Sequence, residues 1–344
     1  MTAVPVIDIT GCDREGPALD RIAAQVDDAC RRVGFLQLAG HGIAPDVVGA
    51  MLEAAERFFR GPGAVKRSCR PPSPEINRGW APLGSESLAY SLGVDAPPDL
   101  FEAFNIGHEF DPDDPTHVAE QHRFFAPNLW PEGDLAFRDA LLAYWDAVEV
   151  VAQRLTSVFA TALDMPWDFF EQHTGRSPDV MRVNWYERAA GAPAPAPGQQ
   201  RMGAHTDYGV LTVLYADPVP GLEIVGPDGR WAPVVPEEGC LLVNLGDLLA
   251  QWTNDRWRST LHRVAPPTSD DGGPALRRSV AFFHEADADA VVEPLPTCVG
   301  VDRPARYGPV TAGQHLVDKL EGPRQHRPSA AASTVGDRAG VLHS

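Results

Sequence analysis

The sequence predicts an α+β protein with a jelly-roll or barrel core and helices packed outside it. Three observations predict this class. Helical apolar stripes dominate the first half, short β runs separated by turns begin after about residue 180, and 344 residues include 31 Gly and 33 Pro. That last content implies many turns and disfavours a helical bundle or coiled coil. A hydrophobic fraction of 44% beside a charged fraction of 22% is ordinary for a folded chain, so the net charge of −18 belongs to the surface and does not signal disorder. The same charge argues against nucleic acid or an anionic membrane as partner, because polyanion binders need basic surface to displace counterions.

Residues 4–9 read as a short strand, and 17–33 as a helix with Leu19, Ile22, Ala23, Val26, Ala29, Cys30 and Val33 on one stripe. Gly34 ends that helix, Phe35 to Leu38 form a second strand, and a further helix spans 45–60 with Pro45 in its first turn. Residues 61–131 are rich in Pro and Gly and are expected to be mostly irregular. From Leu135 to Leu163 the pattern is helical again, with Phe137, Leu141, Leu142, Trp145, Val148 and Leu155 available to a core. Strands are predicted at 181–186, 209–216, 221–225, 231–235, 240–244, 258–265 and 277–284, and one more short helix at 311–320. Ala189 to Gly198 is low-complexity and expected to be a mobile loop that, with the segment after Val310, gates a pocket. The stretch 322–344 has no periodicity and is expected to be a loose tail.

No basic, apolar leader opens the chain and no run approaches the roughly 18 apolar residues of a membrane helix. Five cysteines (Cys12, Cys30, Cys69, Cys240, Cys298) are scattered without a C-x-x-C pair, as expected of reduced thiols in the cytoplasm. At this length either one large domain or two ordinary ones can bury a core.

Chemistry concentrates in the β-rich half. In His205-Thr206-Asp207, alternation along a strand projects the imidazole and the carboxylate to one face, where they can share a metal. A lone His-x-Asp is expected about once by chance in such a chain, so the motif alone decides little. His262 lies in a strand-like run 57 residues on. Two His and one carboxylate fill one face of an octahedron and leave open positions, as in a non-haem Fe(II) facial triad and unlike a closed tetrahedral zinc site. Arg277 and Ser279 then share one face of a strand, where a guanidinium beside a hydroxyl suits a ligand carboxylate.

These pieces fall in a specific order with Pro5-Val-Ile-Asp8, Gly34 to Ile43, Arg78-Gly-Trp-Ala-Pro82, Asp99-Leu-Phe-Glu102, Asn128-Leu-Trp-Pro131, Met181 to Tyr186, Leu261 to Val264 and Thr311 to His315. Over residues 4–320 the chain resembles the isopenicillin N synthase-like family of 2-oxoglutarate- and Fe(II)-dependent oxygenases, in its plant-type dioxygenase group. The resemblance implies a single domain over 1–321, with an N-terminal region at 1–130 and a distorted double-stranded β-helix at 180–300. It implies His205, Asp207 and His262 as catalytic iron ligands. Arg277 and Ser279 would hold the distal carboxylate of 2-oxoglutarate, with Asn184 and Tyr186 as further cosubstrate contacts. Trp185 stands where plant-type members usually carry Tyr, Glu187-Arg188 replaces their prolines, and the segment between His262 and Arg277 is extended.

The implied activity is oxidation of an unactivated C–H bond of a small organic molecule, by hydroxylation, desaturation or ring formation, in specialised metabolism. Fe(II), 2-oxoglutarate and O2 take part, with succinate and CO2 as co-products, and the enzyme is expected to be a monomer. Asp207 argues against a halogenase, which needs that ligand position open. An oxidase using the same triad without 2-oxoglutarate is the alternative enzyme, and a non-catalytic jelly-roll binding protein the alternative outside catalysis. Trp185, Phe104, Trp80 and His284 are candidate substrate contacts. His41 reads as a turn residue and Gly61-Pro-Gly63 as a turn without phosphate-loop context.

Overall fold

Proline and glycine punctuation sets the first elements. In the computed structural model, which describes residues 4–12, 15–73, 75–93, 96–188, 194–266 and 276–325, β1 (Val6–Asp8) leads into α1 (Pro17–Arg32). α1 opens on Pro17 and buries Leu19, Ile22, Ala23, Val26, Ala29 and Cys30. Gly34 follows at φ +69°, and a Cβ there would lie 2.3 Å from the Arg258 carbonyl oxygen, so turn and close approach both require glycine. Next come β2 (Phe35–Ala39), α2 (Pro45–Phe59), α3 (Gly63–Ser68), β3 (Gly79–Ala81), β4 (Glu102–Gly107) and α4 (Pro115–Glu120). The long α5 (Leu135–Ala162) is capped by Asp134, whose carboxylate accepts from the Phe137 N–H at 3.0 Å.

The second half runs α6 (Glu171–Thr174), β5 (Val180–Glu187), β6 (Met202–His205), β7 (Leu211–Ala216), β8 (Leu222–Val225), β9 (Trp231–Pro233), β10 (Leu241–Leu245) and α7 (Asp247–Trp252). It ends with β11 (His262–Val264), β12 (Leu276–His284), β13 (Val291–Val292), β14 (Val310–Thr311) and α8 (Ala312–Gln325).

An eight-stranded sheet in the order β1-β2-β10-β7-β12-β5-β4-β3 faces a four-stranded sheet, β6-β11-β8-β9. These are the two walls of a jelly-roll. The largest core joins the back of the large sheet to α1, α2 and α5 through Leu36, Met51, Phe58, Leu141, Val148, Val280 and Phe282. Burying a Leu- or Phe-sized side chain is worth about 1.5–3 kcal/mol each, so this back layer is the main source of stability. Between the sheets, Phe35, Leu222, Ile224 and Leu242 close one end, and Phe101, Tyr186, Met202 and Val264 line the other. β2 is buried on both faces, which explains its unbroken apolar run.

The structure departs from the expected elements in several places. Residues 61–131 contain β3 and β4, which pair with each other and extend the large sheet through β5. Neither has the alternation of a half-exposed strand, because β4 is buried on both faces. The run 258–265 is a strand only at β11, since the Arg258 N–H donates to Cys30 and Thr260 Oγ1 donates to the Val33 carbonyl instead of joining a ladder. The run 209–216 begins as a strand only at Leu211, after a loop, and the strand expected to carry His205 and Asp207 is β6, which ends at His205. α8 continues to Gln325, past the expected end of the ordered chain, while 326–344 lie outside the described residues. So do residues 189–193 of the expected mobile loop and the extended segment 267–275. Among the described residues no helix is long and apolar enough to cross a membrane.

Candidate active site

β6 and β11 pair antiparallel with His262 directly opposite His205, the two rings 4.3 Å apart. Each ring is aimed by a backbone carbonyl two residues upstream: His205 Nδ1 lies 2.7 Å from the Gly203 oxygen and His262 Nδ1 3.0 Å from that of Thr260. With Nδ1–H donating, Nε2 is left with its lone pair, and both Nε2 atoms stand 3.7 Å from Asp207 Oδ1. That distance is too long for a hydrogen bond and leaves room for an ion among the three atoms. Asp207 lies on the loop after β6, not on the strand. Its other oxygen, Oδ2, accepts from Thr212 of β7 at 2.5 Å and Asn244 of β10 at 2.6 Å. Thr206 turns away and donates to Asp247 at 3.0 Å. Burial, reinforced by the neighbouring His262, pushes His205 down to about 4 despite Asp207, so the imidazole is neutral and available as a ligand. The three predicted iron ligands therefore converge, and Fe(II) fits their donor set.

They open on a cavity of about 1500 Å³ between the sheets. Alternation along β12 places Arg277, Ser279, Ala281 and Phe283 on its wall, and Glu285, just past the strand end, continues the row. Arg277 is 1% exposed, and its Nε and Nη1 have no acceptor. A buried guanidinium in that state is costly unless an anion completes it. Across the β5/β12 ladder Arg277 pairs with Tyr186 and lies 5.1 Å over its ring, while Ser279 pairs with Asn184, whose amide donates to Ser279 Oγ at 3.4 Å. The four predicted cosubstrate residues are thus neighbours on two adjacent strands, and their chemistry fits a carboxylate.

The candidate substrate residues divide. Trp80 lines the cavity and donates Nε1–H to Glu102 at 2.8 Å. The other three do not reach it, because each occupies the opposite phase of its strand or a wholly packed position. Trp185 stacks on Phe59 at 5.2 Å with Nε1 on Glu187. Phe104 is fully buried against Phe58 and Phe137. His284 faces α5 and is bonded to Asp179 at 2.8 Å. His41 holds its own turn, Nδ1 accepting from the Ile43 N–H at 3.1 Å.

Sequence reasoning missed several participants. Thr212 and Asn244 aim Asp207 from strands distant in sequence, so no local motif marks them. Arg182 and Glu86 face each other across the cavity wall in a two-pronged pair at 2.8 and 2.9 Å. Lys319 of α8 meets Asp247 at 2.5 Å, tying the C-terminal helix to α7, whose Asp247 also accepts from Thr206. Glu285 carried a readable signal, since it extends the i, i+2 row begun by Arg277 and Ser279. Burial, with Asp179 and Asp207 nearby, pushes its carboxyl up to about 8.

Comparison with known proteins agrees with this geometry. Residues 4–133 match the family described as non-haem dioxygenase in morphine synthesis N-terminal, and residues 178–286 match the 2OG-Fe(II) oxygenase superfamily. A 2-oxoglutarate-Fe(II) type oxidoreductase of Emericella nidulans, hxnY, is 32% identical over 90% of this chain and 87% of its own. Validamycin A dioxygenase of Streptomyces hygroscopicus subsp. limoneus is 34% identical over 87% of this chain and 81% of its own. Among solved structures, a full-length Neurospora crassa protein in complex with alpha-KG (2-oxoglutarate) superposes with a TM-score of 0.81 at 26% identity, covering 93% of this chain and 96% of that one. The same N. crassa protein has also been solved with alpha-KG and thymine. Neither the oxidase without 2-oxoglutarate nor the non-catalytic binding protein accords with these relatives. The chain belongs to the 2OG-Fe(II) oxygenase superfamily and is a 2-oxoglutarate- and Fe(II)-dependent dioxygenase.

Proposed function

We propose that the enzyme oxidises a C–H bond of a small organic molecule seated between the two sheets, with Fe(II) held by His205, Asp207 and His262. Arg277 carries the cosubstrate reading. It is a buried cation with two nitrogens lacking acceptors, on the wall of the cavity into which the His/Asp triad opens. The distal carboxylate of 2-oxoglutarate would complete it, with Ser279 and Tyr186 beside it and Asn184 orienting the Ser279 hydroxyl. Iron and cosubstrate would supply the oxidising power when bound: O2 is consumed, one of its oxygen atoms leaves in succinate beside CO2, and the other enters the substrate in hydroxylation or leaves as water in desaturation or ring formation.

The chain's own part is placement. The Gly203 and Thr260 carbonyls fix which imidazole nitrogen faces the metal. Thr212 and Asn244 engage one carboxylate oxygen, so Asp207 offers the other. Apolar neighbours such as Phe35, Leu214 and Leu222 line the cavity and limit water. Strands from both matched regions share one sheet, which supports reading 1–321 as one oxygenase domain. Leu316, Val317 and Leu320 of α8 reach the cavity, which supports the C-terminal segment as its gate. Cys12, Cys30, Cys69, Cys240 and Cys298 form no disulfide, which supports a reducing compartment, the cytoplasm.

The test is anaerobic titration with Fe(II), with and without 2-oxoglutarate. A visible charge-transfer band that needs both supports the assignment, and Arg277→Leu raises the 2-oxoglutarate concentration needed for it. Iron binding that persists in His205→Ala would sink the triad.

A further inference from the structure

Besides Arg277, the cavity holds an acidic side chain that no described residue answers. Glu285 lies one step beyond Phe283 on the row that carries Arg277 and Ser279, and it is half-buried. Its carboxylate has no hydrogen bond or ion pair among the described residues. Space for it is built into the metal loop: a Cβ on Gly209 would stand 2.3 Å from Oε2 and 2.6 Å from Oε1. Its backbone is fixed as well, because the Glu285 N–H donates to Asp179 at 2.8 Å.

The other charges of this wall are accounted for: Arg78 donates to the Asn77, Phe124 and Ala126 carbonyls. Arg182 is gripped by Glu86, Lys319 by Asp247, and Arg277 is the proposed cosubstrate anchor. Arg70, Glu75 and Arg123 lie at the exposed mouth, in contact with water. A second acceptor in the cavity is also open, since Asn105 is 4% exposed and its Oδ1 lacks a donor. An acidic group without a partner in a partly desolvated pocket is held toward its neutral form, and a cation that brings its own donors is what completes it as a carboxylate. A net charge of −18 on the whole chain draws such molecules in.

We propose that Glu285 is a specificity-determining residue and that the substrate presents a cationic nitrogen to it, an ammonium or guanidinium group. This rests on the oxygenase reading above and names the substrate class for the same site.

The experiment uses the full chain, anaerobic, with Fe(II) and 2-oxoglutarate, and first records the cosubstrate band. Matched probes are then titrated and followed by the shift they cause in that band: arginine against citrulline, butylguanidine against butylurea, and lysine against norleucine. The expected result is that the cationic member of each pair binds at least tenfold more tightly. In Glu285→Gln, checked for folding by thermal unfolding, that ratio falls to within about twofold. The ratio is unaffected by any inactive fraction of the variant. Gly209→Ala, which would crowd the carboxylate from its place, lowers the ratio in the same direction.

Equal binding of the neutral members, absence of any cationic binder, or a preference that survives in Glu285→Gln would overturn the proposal. Failure of the band to form without any probe would instead overturn the oxygenase reading.

Discussion

Two clusters of histidine and carboxylate lie on opposite faces of the large sheet's central strands, and they are built to opposite ends. At the front, His205, Asp207 and His262 turn three donor atoms toward one point with 3.7 Å between nitrogen and oxygen. Every other polar atom of those side chains is satisfied elsewhere. At the rear, His284 and Asp179, 1% and 0% exposed, are joined directly at 2.8 Å. The second Asp179 oxygen takes the Glu285 N–H, so both are in use. His108, Glu149 and Asp179 place ligand atoms within 4.8 Å of one another, as the front triad does. Yet Asp179 already has its counter-charge. Composition is thus a poor guide to a metal centre. What separates the two is the carboxylate: the partners of Asp207 leave one of its oxygens open, whereas those of Asp179 occupy both, although His284 Nε2 has no partner.

Removing one of the proposed metal ligands should produce the largest effect on function. His205→Ala or Asp207→Ala is expected to lower turnover by about three orders of magnitude or more, the scale seen when one member of a catalytic unit is removed. The metal-free protein should melt close to the parent. Coupled succinate release and thermal unfolding of the apo form measure the two arms. The rear cluster should behave conversely. Asp179→Asn leaves a buried imidazolium without its anion, a change expected to cost about 3–5 kcal/mol. The Fe(II)- and 2-oxoglutarate-dependent band should still form. A variant that loses the band before it loses stability would break the distinction between the clusters.

The sequence exposed the front cluster far better than the rear. His205, Asp207, His262 and the Arg277/Ser279 pair were legible because short motifs place them and because the facial triad restricts residue types. Helices α1, α2 and α5 were legible from their 3.6-residue stripes. β4 was not, because a strand buried on both faces has no alternation to read. His284 was misread from the sequence itself, because counting by twos from Arg277 and Ser279 already puts it on the opposite face of β12. Thr212, Asn244 and Asp179 are bonded across 5, 37 and 105 residues. Two of those three separations exceed any local motif, and the shortest spans a loop whose path is tertiary.

A finer test of what keeps the front open is to weaken the residues that hold Asp207. Asn244→Ala and Thr212→Val free Oδ2, allowing the carboxylate to turn or to bond a histidine as Asp179 does at the rear. Each is expected to weaken Fe(II) binding by about 10–100-fold, the range for partners that orient metal ligands. Isothermal titration with Fe(II), or with Mn(II) as a redox-stable probe, measures it. Unchanged affinity in both variants would mean that the open geometry does not depend on those two bonds.

The smallest predicted effect is a pH signature that belongs to the rear pair alone. Burial by itself would push His284 down, but the Asp179 charge and hydrogen bond outweigh it and leave the imidazole raised above its ordinary 6.5. Burial would likewise push Asp179 up, and His284 reverses that, leaving the carboxyl below its ordinary 3.8. A raised histidine gives stability that is fully present below pH 6.5 and is lost as pH rises through its folded value. A lowered carboxyl gives stability that is present above pH 3.8 and is lost as pH falls through its folded value. The pair therefore contributes most between about pH 4 and 6.5. Glu149 of α5 and Asp287 beyond β12 also favour the imidazolium, whereas buried Glu285 opposes stability as pH rises from 4.5 toward about 8. The Glu285 effect is common to parent and variant, so the informative quantity is the difference in melting temperature between the parent and Asp179→Asn. That gap should be widest near pH 5–6 and should narrow as pH climbs past the raised value of His284. A gap of constant width from pH 5 to 9 would mean that His284 holds Asp179 as a neutral donor and that the rear cluster is a hydrogen bond, not an ion pair.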